Sequence, residues 1–261
     1  MTNFHTHTTW CDGKDTPEAM IEAAIAKGFT TLGFSSHMAR PMEDPCVVPE
    51  RNLVPYANEI RALAAKYAGR IAIRLGGEAD YIPGTTAPEK SRYADLGLEY
   101  LIGSIHYVVA DDMTPVPVDH TPELLAEGIR KHFGGSVERY IRTYFRQERE
   151  MVAKFDFDVV GHPDLVRKFN VKAPYFDENA SWYREEVEKT AAAIADSGKI
   201  VEVNTGAISR GWLEDAYPSA YFRALLREKG VKFLLSSDAH AAAGLDCAFD
   251  RFGWAEAYVT L

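Results

Sequence analysis

Short apolar segments alternate with amphipathic segments along the whole 261-residue chain, and no other feature limits the choice of fold as strongly. The apolar segments have the length of buried strands, and the amphipathic segments have the length of helices. Such alternation predicts parallel strands joined by crossover helices. Six or seven strand–helix units in a chain of this length favour a closed α/β barrel, with an open doubly wound sheet as the alternative.

The ends of the predicted elements follow from local signals. Thr16 before Pro17 is typical of a helix start, and Gly28 is typical of a helix end. The predicted helices cover residues 17–27, 49–67, 136–154, 175–197 and 218–229. The predicted strands cover residues 3–7, 29–34, 71–75, 100–105, 157–161, 200–203, 233–236 and 257–261.

One stretch departs from the alternation. Residues 111–132 contain prolines at positions 115, 117 and 122 and fit neither pattern. We expect a loop-like insertion, roughly residues 109–135, over one face of a single barrel domain that spans residues 1–261. Insertions of this kind often determine substrate selectivity.

Six of the eight histidines fall where a predicted strand ends. They are His5, His7, His37, His106, His162 and His240. Because all parallel strands of a barrel open their C-terminal ends on one face, we expect these six side chains to converge. The other two histidines, His120 and His132, do not follow predicted strands, and we leave them out of the site.

Two carboxylates share this placement, and a third lies in the first loop. Glu78 follows a predicted strand, and Asp238 lies two residues before His240. Residues two apart on an extended strand face the same side, so the pairs His5/His7 and Asp238/His240 each aim at one point. Asp12 reaches the same region from the first loop. The alternatives are a helix-capping or ion-paired role for Glu78 and a turn role for Asp12 before Gly13.

These side chains indicate a metal centre. Imidazole and carboxylate ligands favour Zn, Mn or Fe over copper or an iron–sulfur cluster. A single catalytic zinc needs only three protein ligands, so this larger set suits two or three divalent ions. Such sites carry out hydrolysis, because the ions lower the pKa of water and stabilise the attacked and leaving oxygens. Cys11, next to Asp12, is an alternative thiolate ligand.

The segments that carry these residues resemble the polymerase and histidinol phosphatase (PHP) family. They are His5-Thr6-His7, Cys11-Asp12-Gly13, Ser35-Ser36-His37, Gly77-Glu78, Gly103-Ser104-Ile105-His106, Gly161-His162-Pro163-Asp164 and Ser237-Asp238-Ala239-His240. The resemblance covers nearly the whole chain in motif order and is strongest to the stand-alone phosphatases of the family. It implies a distorted (β/α)7 barrel that hydrolyses L-histidinol phosphate to L-histidinol and phosphate, a step of histidine biosynthesis.

The resemblance also implies which residues hold each ion. The first ion takes His5, His7, Glu78 and Asp238, and the second shares Glu78 and takes His106 and His162. The third takes His37, His240 and a residue of the first loop, where many family members have a histidine. This chain has no histidine there, and we assign the role to Asp12. A centre with only two ions remains the alternative.

A phosphate ester needs further positive charge, which arginine supplies with a planar group that matches phosphate oxygens. Arg167 and Arg210 follow predicted strand ends, and similar phosphatases use arginines there to bind substrate. Arg40, just after His37, is a third candidate. Asp238 and His240 are the candidates for protonating the leaving group, which makes these two residues, Arg210 and Arg167 the expected catalytic set. The amine and imidazole of histidinol suit acidic or aromatic residues near the mouth, such as Asp80, Tyr81, Tyr107 or residues 111–120.

Composition limits the partners. The chain has 29 Lys and Arg against 38 Asp and Glu, a formal charge of −9, which argues against nucleic acid as a partner. No apolar run is long enough to span a membrane, and the N-terminus lacks a signal pattern. Three cysteines without a CxxC motif favour a reducing compartment, so we expect a cytoplasmic enzyme acting on a small phosphate ester.

Three other functions stay open. A phosphodiesterase or nucleotide phosphatase of the same family would keep the metal centre and change the ester. A non-catalytic accessory PHP module is the second, and the acidic balance and the full ligand set argue against it. A metal-dependent amidohydrolase also uses an HxH motif and a late aspartate, but with a different order of histidines. The sequence does not indicate an oligomeric state.

Overall fold

A computed structural model describes residues 1–42, 44–253 and 258–261. The strands are β1 (Thr2–Asn3), β2 (Thr31–Phe34), β3 (Ala72–Asp80), β4 (Tyr100–Ser104), β5 (Tyr107–Val109), β6 (Pro115–Pro117), β7 (Val159–Val160), β8 (Ile200–Asn204) and β9 (Phe233–Ser236). The helices are α1 (Pro17–Ala26), α2 (Leu53–Lys66), α3 (Pro122–His132), α4 (Val137–Lys154), α5 (Ser181–Ser197), α6 (Gly206–Ser209), α7 (Ala220–Glu228) and α8 (Phe249–Phe252). Short 3₁₀ helices cover Glu50–Asn52, Lys90–Leu96, Leu165–Arg167 and Ala242–Gly244.

Seven parallel strands form the barrel wall in the order β1-β2-β3-β4-β7-β8-β9. The two ends of this sheet meet where Thr6 pairs with Ala239, and the His7 amide donates to the Ala239 carbonyl at 2.9 Å. The sheet is therefore a nearly closed, seven-stranded barrel with surrounding helices. The predicted barrel is confirmed, and the open-sheet alternative is wrong.

Apolar side chains fill the barrel below the strand ends. Phe4, Tyr100, Ile102, Val159 and Leu234 form one buried cluster, and the Tyr100 hydroxyl donates to the Phe4 carbonyl at 2.6 Å. A Cβ at position 76 would lie 2.3 Å from the Tyr100 ring, so only glycine fits this position of β3. Each residue of this apolar cluster comes a few positions before a polar residue of the site in the chain, so the apolar cluster lies beneath the site.

Most predicted helices are confirmed with small differences at their ends. Thr16 caps α1, since its hydroxyl accepts from the Ala19 amide at 3.2 Å. Residues 175–180 were expected to be helical but precede α5. The predicted last strand begins at Ala257, which lies outside the described residues. At Tyr258 the structure has a single parallel bridge to Phe233.

The expectation of a loop-like segment at residues 111–132 is wrong. Strands β5 and β6 form an antiparallel hairpin, and α3 follows it. Pro115 and Pro117 lie in an edge strand, which tolerates proline. Pro122 occupies the first turn of α3, where Thr121 accepts from the Leu124 amide at 3.2 Å. The prolines thus mark element ends rather than a structureless loop. Among the described helices, none has the length and apolar character needed to cross a membrane.

Candidate metal centre

The structure brings all nine proposed ligands together at the C-terminal end of the barrel. Each lies at or just beyond a strand of the wall, except Asp12, which lies in the first loop. Their potential ligand atoms form four overlapping groups, and the atoms of each group all lie within 4.8 Å of one another. The groups are His5/His7/Asp238, His5/Glu78/His162, His37/Glu78/His106 and His7/Asp12/His37/His240.

Glu78 occupies the middle of this cluster. Its Oε2 lies 3.1 Å from His5 Nε2 and 3.0 Å from His37 Nδ1, and its Oε1 lies 3.0 Å from His162 Nε2. Burial raises the pKa of the carboxyl, but the surrounding histidines outweigh burial and lower it well below its ordinary value. The side chain lies within β3 rather than after it. An ionised carboxylate in this position can bridge two ions.

Asp238 contacts a second set of side chains. Its Oδ1 lies 3.3 Å from His7 Nε2, and its Oδ2 accepts from Arg210 at 2.8 Å. The backbone φ of Asp238 is 49°, in the left-handed region that aspartate tolerates better than most residues. Burial raises the pKa of this carboxyl, but Arg210 and His5 lower it well below its ordinary value.

The third group lies nearest the solvent. Asp12 Oδ1 is 3.3 Å from His240 Nε2 and 3.9 Å from His37 Nε2. Cys11 belongs to none of the four groups among the described residues, and its Sγ lies 3.5 Å from His7 Nδ1. Burial and the nearby Asp12 raise the pKa of the Cys11 thiol, which argues against the alternative thiolate ligand.

Several buried atoms of the cluster have no hydrogen-bond partner among the described residues. They include His5 Nε2, His7 Nε2, His37 Nδ1 and Glu78 Oε2, and each of the three nitrogens lies within 3.5 Å of Glu78 Oε2. Leaving buried polar atoms without a partner is costly, and a cation would satisfy them together. Burial and the rings of His240 and His37 also lower the pKa of His7 to about 3, which keeps its lone pair available. The residues present therefore fit divalent metal ions.

Two buried carboxylates that the sequence analysis did not assign to the centre hold its histidines in place. Glu202 in β8 accepts from His5 Nδ1 at 2.8 Å and from the His162 amide at 2.7 Å. Asp80 accepts from His106 Nδ1 at 2.7 Å and pairs with Arg40 Nη1 at 2.9 Å. Asp80 thus orients a histidine, and its expected contact with the substrate amine is not supported. A charged residue inside an apolar strand was the available signal for Glu202.

Glu202→Gln is expected to weaken metal binding by about tenfold to a hundredfold, the usual effect of removing the partner of a ligating histidine. Glutamine has only one acceptor oxygen, so it cannot accept from both His5 and the His162 amide, and His5 loses its fixed orientation. Metal affinity is measured by competition with a chelator, with Glu185→Gln on the surface of α5 as the control. An unchanged affinity in Glu202→Gln would show that this carboxylate only stabilises the fold.

The three predicted arginines have different surroundings. Arg210 lines a cavity of about 380 Å³ above the cluster and pairs with Asp238. Arg40 also lines the cavity, but it is buried between Asp44 and Asp80. Arg167 is buried and donates to Glu178 at 2.7 Å, and it is not among the residues that line the cavity. Of these three arginines, only Arg210 both lines the cavity and forms an ion pair with a residue of the metal-ligand cluster.

The cavity wall includes residues that the sequence analysis did not select. Lys14, Lys168 and Tyr217 contribute to it, and so does His120, which was left out of the site. The insertion supplies Asp119 and His120 to the wall. His132 pairs with Asp112 at 2.8 Å and does not line the cavity. Chain position alone could not place Lys168 or Tyr217 there, because neither directly follows a strand of the barrel.

Comparison with known proteins places the chain in a family. The model of the PHP domain matches residues 3–206, so the chain belongs to the PHP domain family. The matched residues include seven of the nine clustered side chains, and the other two, Asp238 and His240, follow the match.

Two curated relatives match this chain over most of their length. A protein of Schizosaccharomyces pombe named "Probable histidinol-phosphatase" is 30% identical over 236 residues, which cover 85% of this chain and 74% of the relative. A protein of Deinococcus radiodurans with the same name is 31% identical over 245 residues, which cover 90% of this chain and 85% of the relative.

Two solved structures share the fold. A protein of Listeria monocytogenes, provisionally assigned as histidinol phosphatase, has a TM-score of 0.85 at 20% identity, and the match covers 97% of this chain and all of that one. The histidinol phosphate phosphatase of Lactococcus lactis, solved with zinc, L-histidinol and phosphate, has a TM-score of 0.64 at 21% identity. That match covers 92% of this chain and 86% of the other.

Proposed function

We propose that this chain is a metal-dependent phosphomonoesterase that hydrolyses L-histidinol phosphate to L-histidinol and phosphate in histidine biosynthesis. The observation that carries the chemistry is the convergence of nine imidazole and carboxylate side chains beside the cationic Arg210. The names of both curated relatives support the substrate, and so does the histidinol and phosphate complex of the Lactococcus structure.

The centre is proposed to hold two or three divalent ions, of zinc, manganese or iron. His5, His7, Glu78 and Asp238 would hold one, and Glu78, His106 and His162 would hold a second. Asp12, His37 and His240 would hold a third. When bound, the ions supply an activated water and neutralise the charge that develops on the phosphate.

The protein side chains bind and orient the ester. Arg210 donates to the phosphate oxygens from the cavity wall, with the geometry that suits a guanidinium. Arg40 serves the same phosphate only by exchanging a carboxylate partner for a phosphate oxygen, because it is paired with Asp44 and Asp80. Arg167, which is paired with Glu178 outside the cavity wall, would have to leave that partner and turn towards the cavity to do so. His240 donates to the Asp238 carbonyl from Nδ1 at 3.0 Å. It can protonate the leaving alkoxide from Nε2 only while that nitrogen is not a ligand.

Of the two acid candidates, His240 is the better proton donor. Its side chain is 23% exposed and lines the cavity. Asp238 is paired with Arg210, and its lowered pKa keeps it ionised. Asp238 therefore serves as a ligand and as the partner of Arg210 rather than as an acid.

The experiment that tests the function is phosphate release from L-histidinol phosphate beside a panel of other monoesters, diesters and nucleotides. With added manganese or zinc, we expect turnover of histidinol phosphate at least about a hundredfold above the diesters. Turnover of diesters or nucleotides alone would replace this proposal by the phosphodiesterase alternative. Metal-bound protein without activity on any ester would favour the accessory module.

The remaining proposals concern the domain organisation, the cellular location and the partners of the protein. We propose one domain over residues 1–261 whose insertion covers the active face, supported by Asp119 and His120 in the cavity wall. We propose a cytoplasmic enzyme without nucleic-acid or membrane partners, supported by the formal charge of −9 and by Cys11, Cys46 and Cys247, which are all free thiols.

A further inference from the structure

The cavity wall carries one carboxylate that the histidine cluster does not use. Three aspartates line the cavity in the described part of the chain, and two of them, Asp12 and Asp238, belong to the cluster. The third, Asp119, comes from the insertion. The Val118 amide next to it donates to the His106 carbonyl at 2.9 Å, which fixes Asp119 beside the metal centre. The charge of Asp119 acts on both the His106 ring and the Arg210 guanidinium.

Lys168 holds Asp119 in this position. Its Nζ donates to the Asp119 carbonyl at 2.7 Å and to Asp119 Oδ2 at 3.0 Å. Burial raises the pKa of the Asp119 carboxyl, but Lys168 and His106 outweigh burial and lower it below its ordinary value. None of the described residues donates to Oδ1, and the side chain is 23% exposed. Since a carboxylate accepts several hydrogen bonds, one oxygen is open to a donor in the cavity.

The rest of the wall carries four cationic side chains and, in Asp12 and Asp238, two anionic ones. Lys14, Arg40, Lys168 and Arg210 line the cavity, and bound metal ions would add further positive charge. This charge favours a phosphate group and opposes any second cation in the same molecule. L-Histidinol phosphate has such a cation, an ammonium on the carbon next to the ester carbon. A substrate of this kind needs an anionic partner near the phosphate site.

We propose that Asp119 is the specificity-determining residue that binds the ammonium group of an aminoalkyl phosphate, with Lys168 as its positioning residue. The inference rests on the proposed phosphatase function and narrows its substrates to monoesters with an amine close to the ester oxygen. The ammonium donates to Oδ1, while Lys168 keeps Oδ2 and the backbone of Asp119 in place.

Asp119→Asn tests this assignment with two esters, L-histidinol phosphate and the imidazolylpropyl phosphate that lacks only the amine. Because a hydrogen bond between charged groups is lost, we expect KM for histidinol phosphate to rise by about tenfold or more. We expect KM for the analogue and kcat for both esters to stay within about twofold. Asp111→Asn, an exposed acid of the same insertion paired with Arg139, is the matched control.

The outcomes separate the two proposals. If the wild-type protein hydrolyses other esters but not histidinol phosphate, the proposed function fails. If it hydrolyses histidinol phosphate and Asp119→Asn changes both esters equally or neither, the function stands and the role of Asp119 is wrong.

A second measurement needs no variant. L-Histidinol should inhibit the wild-type enzyme at a concentration about tenfold lower than imidazolylpropanol does, because only histidinol carries the amine. Equal inhibition by the two alcohols would contradict an ammonium site at Asp119, even if the variant did not fold.

Discussion

Glu78→Gln is expected to remove metal ions from the protein and to lower kcat/KM for histidinol phosphate by about a thousandfold or more. Glu78 contacts five histidines of the cluster, and its charge would offset that of the two ions it is proposed to hold. Metal ions contribute several kcal/mol to transition-state stabilisation, and each 1.36 kcal/mol changes a rate tenfold. Metal content by elemental analysis and phosphate release are measured on the same preparation.

Glu99→Gln is the matched control for this substitution. Glu99 pairs with Arg74 on the surface just before β4, at the end of the barrel opposite the cluster, and its loss should change neither metal content nor rate. Wild-type metal content and turnover in Glu78→Gln would contradict the bridging role. An unfolded variant would be recognised by its circular dichroism, and Glu78→Asp, which keeps the charge, would then replace it.

Arg210→Ala is expected to lower kcat/KM for histidinol phosphate by about a hundredfold while the metal ions stay bound. Removing one charged donor to a developing anion has an effect of this size. The metal ligands remain, because Arg210 contacts Asp238 through Oδ2 whereas the histidines approach Oδ1. Steady-state kinetics and metal content together check this expectation.

Two further variants separate the effect of the Arg210 charge from a general effect of losing an arginine. Arg210→Lys keeps the charge but loses the planar pair of donors, so it should recover only part of the activity. Arg146→Ala, an exposed arginine of α4, should behave like the wild type. If Arg210→Ala lost metal ions in proportion to activity, Arg210 would act by holding Asp238 rather than by binding the phosphate.

The barrel and the convergence of the histidines could be predicted because they depend on local patterns. Apolar runs and helix signals locate the strands, and parallel strands in a barrel must open on one face. The position of His162 just after β7 and of His106 just after β4 therefore determined that they would meet. The order of residues along each strand carried this information without any long-range contact.

The partners of charged side chains could not be predicted in the same way. Arg167 follows His162 by five residues, but the 3₁₀ helix Leu165–Arg167 brings its guanidinium to Glu178. Glu202 is a charged residue inside an apolar strand, but its role becomes clear only when His5 and His162 are placed beside it. The insertion was misjudged because prolines mark both loops and the ends of regular elements. These features depend on contacts between residues that are distant in the chain.

The most direct test is the metal dependence of histidinol phosphate hydrolysis. The purified protein is stripped with a chelator, and phosphate release from L-histidinol phosphate is followed as zinc or manganese is added in measured equivalents. We predict almost no release by the stripped protein and recovery that saturates at two or three equivalents. Full activity in the stripped protein, or no recovery with either ion despite measured binding, would contradict the central claim.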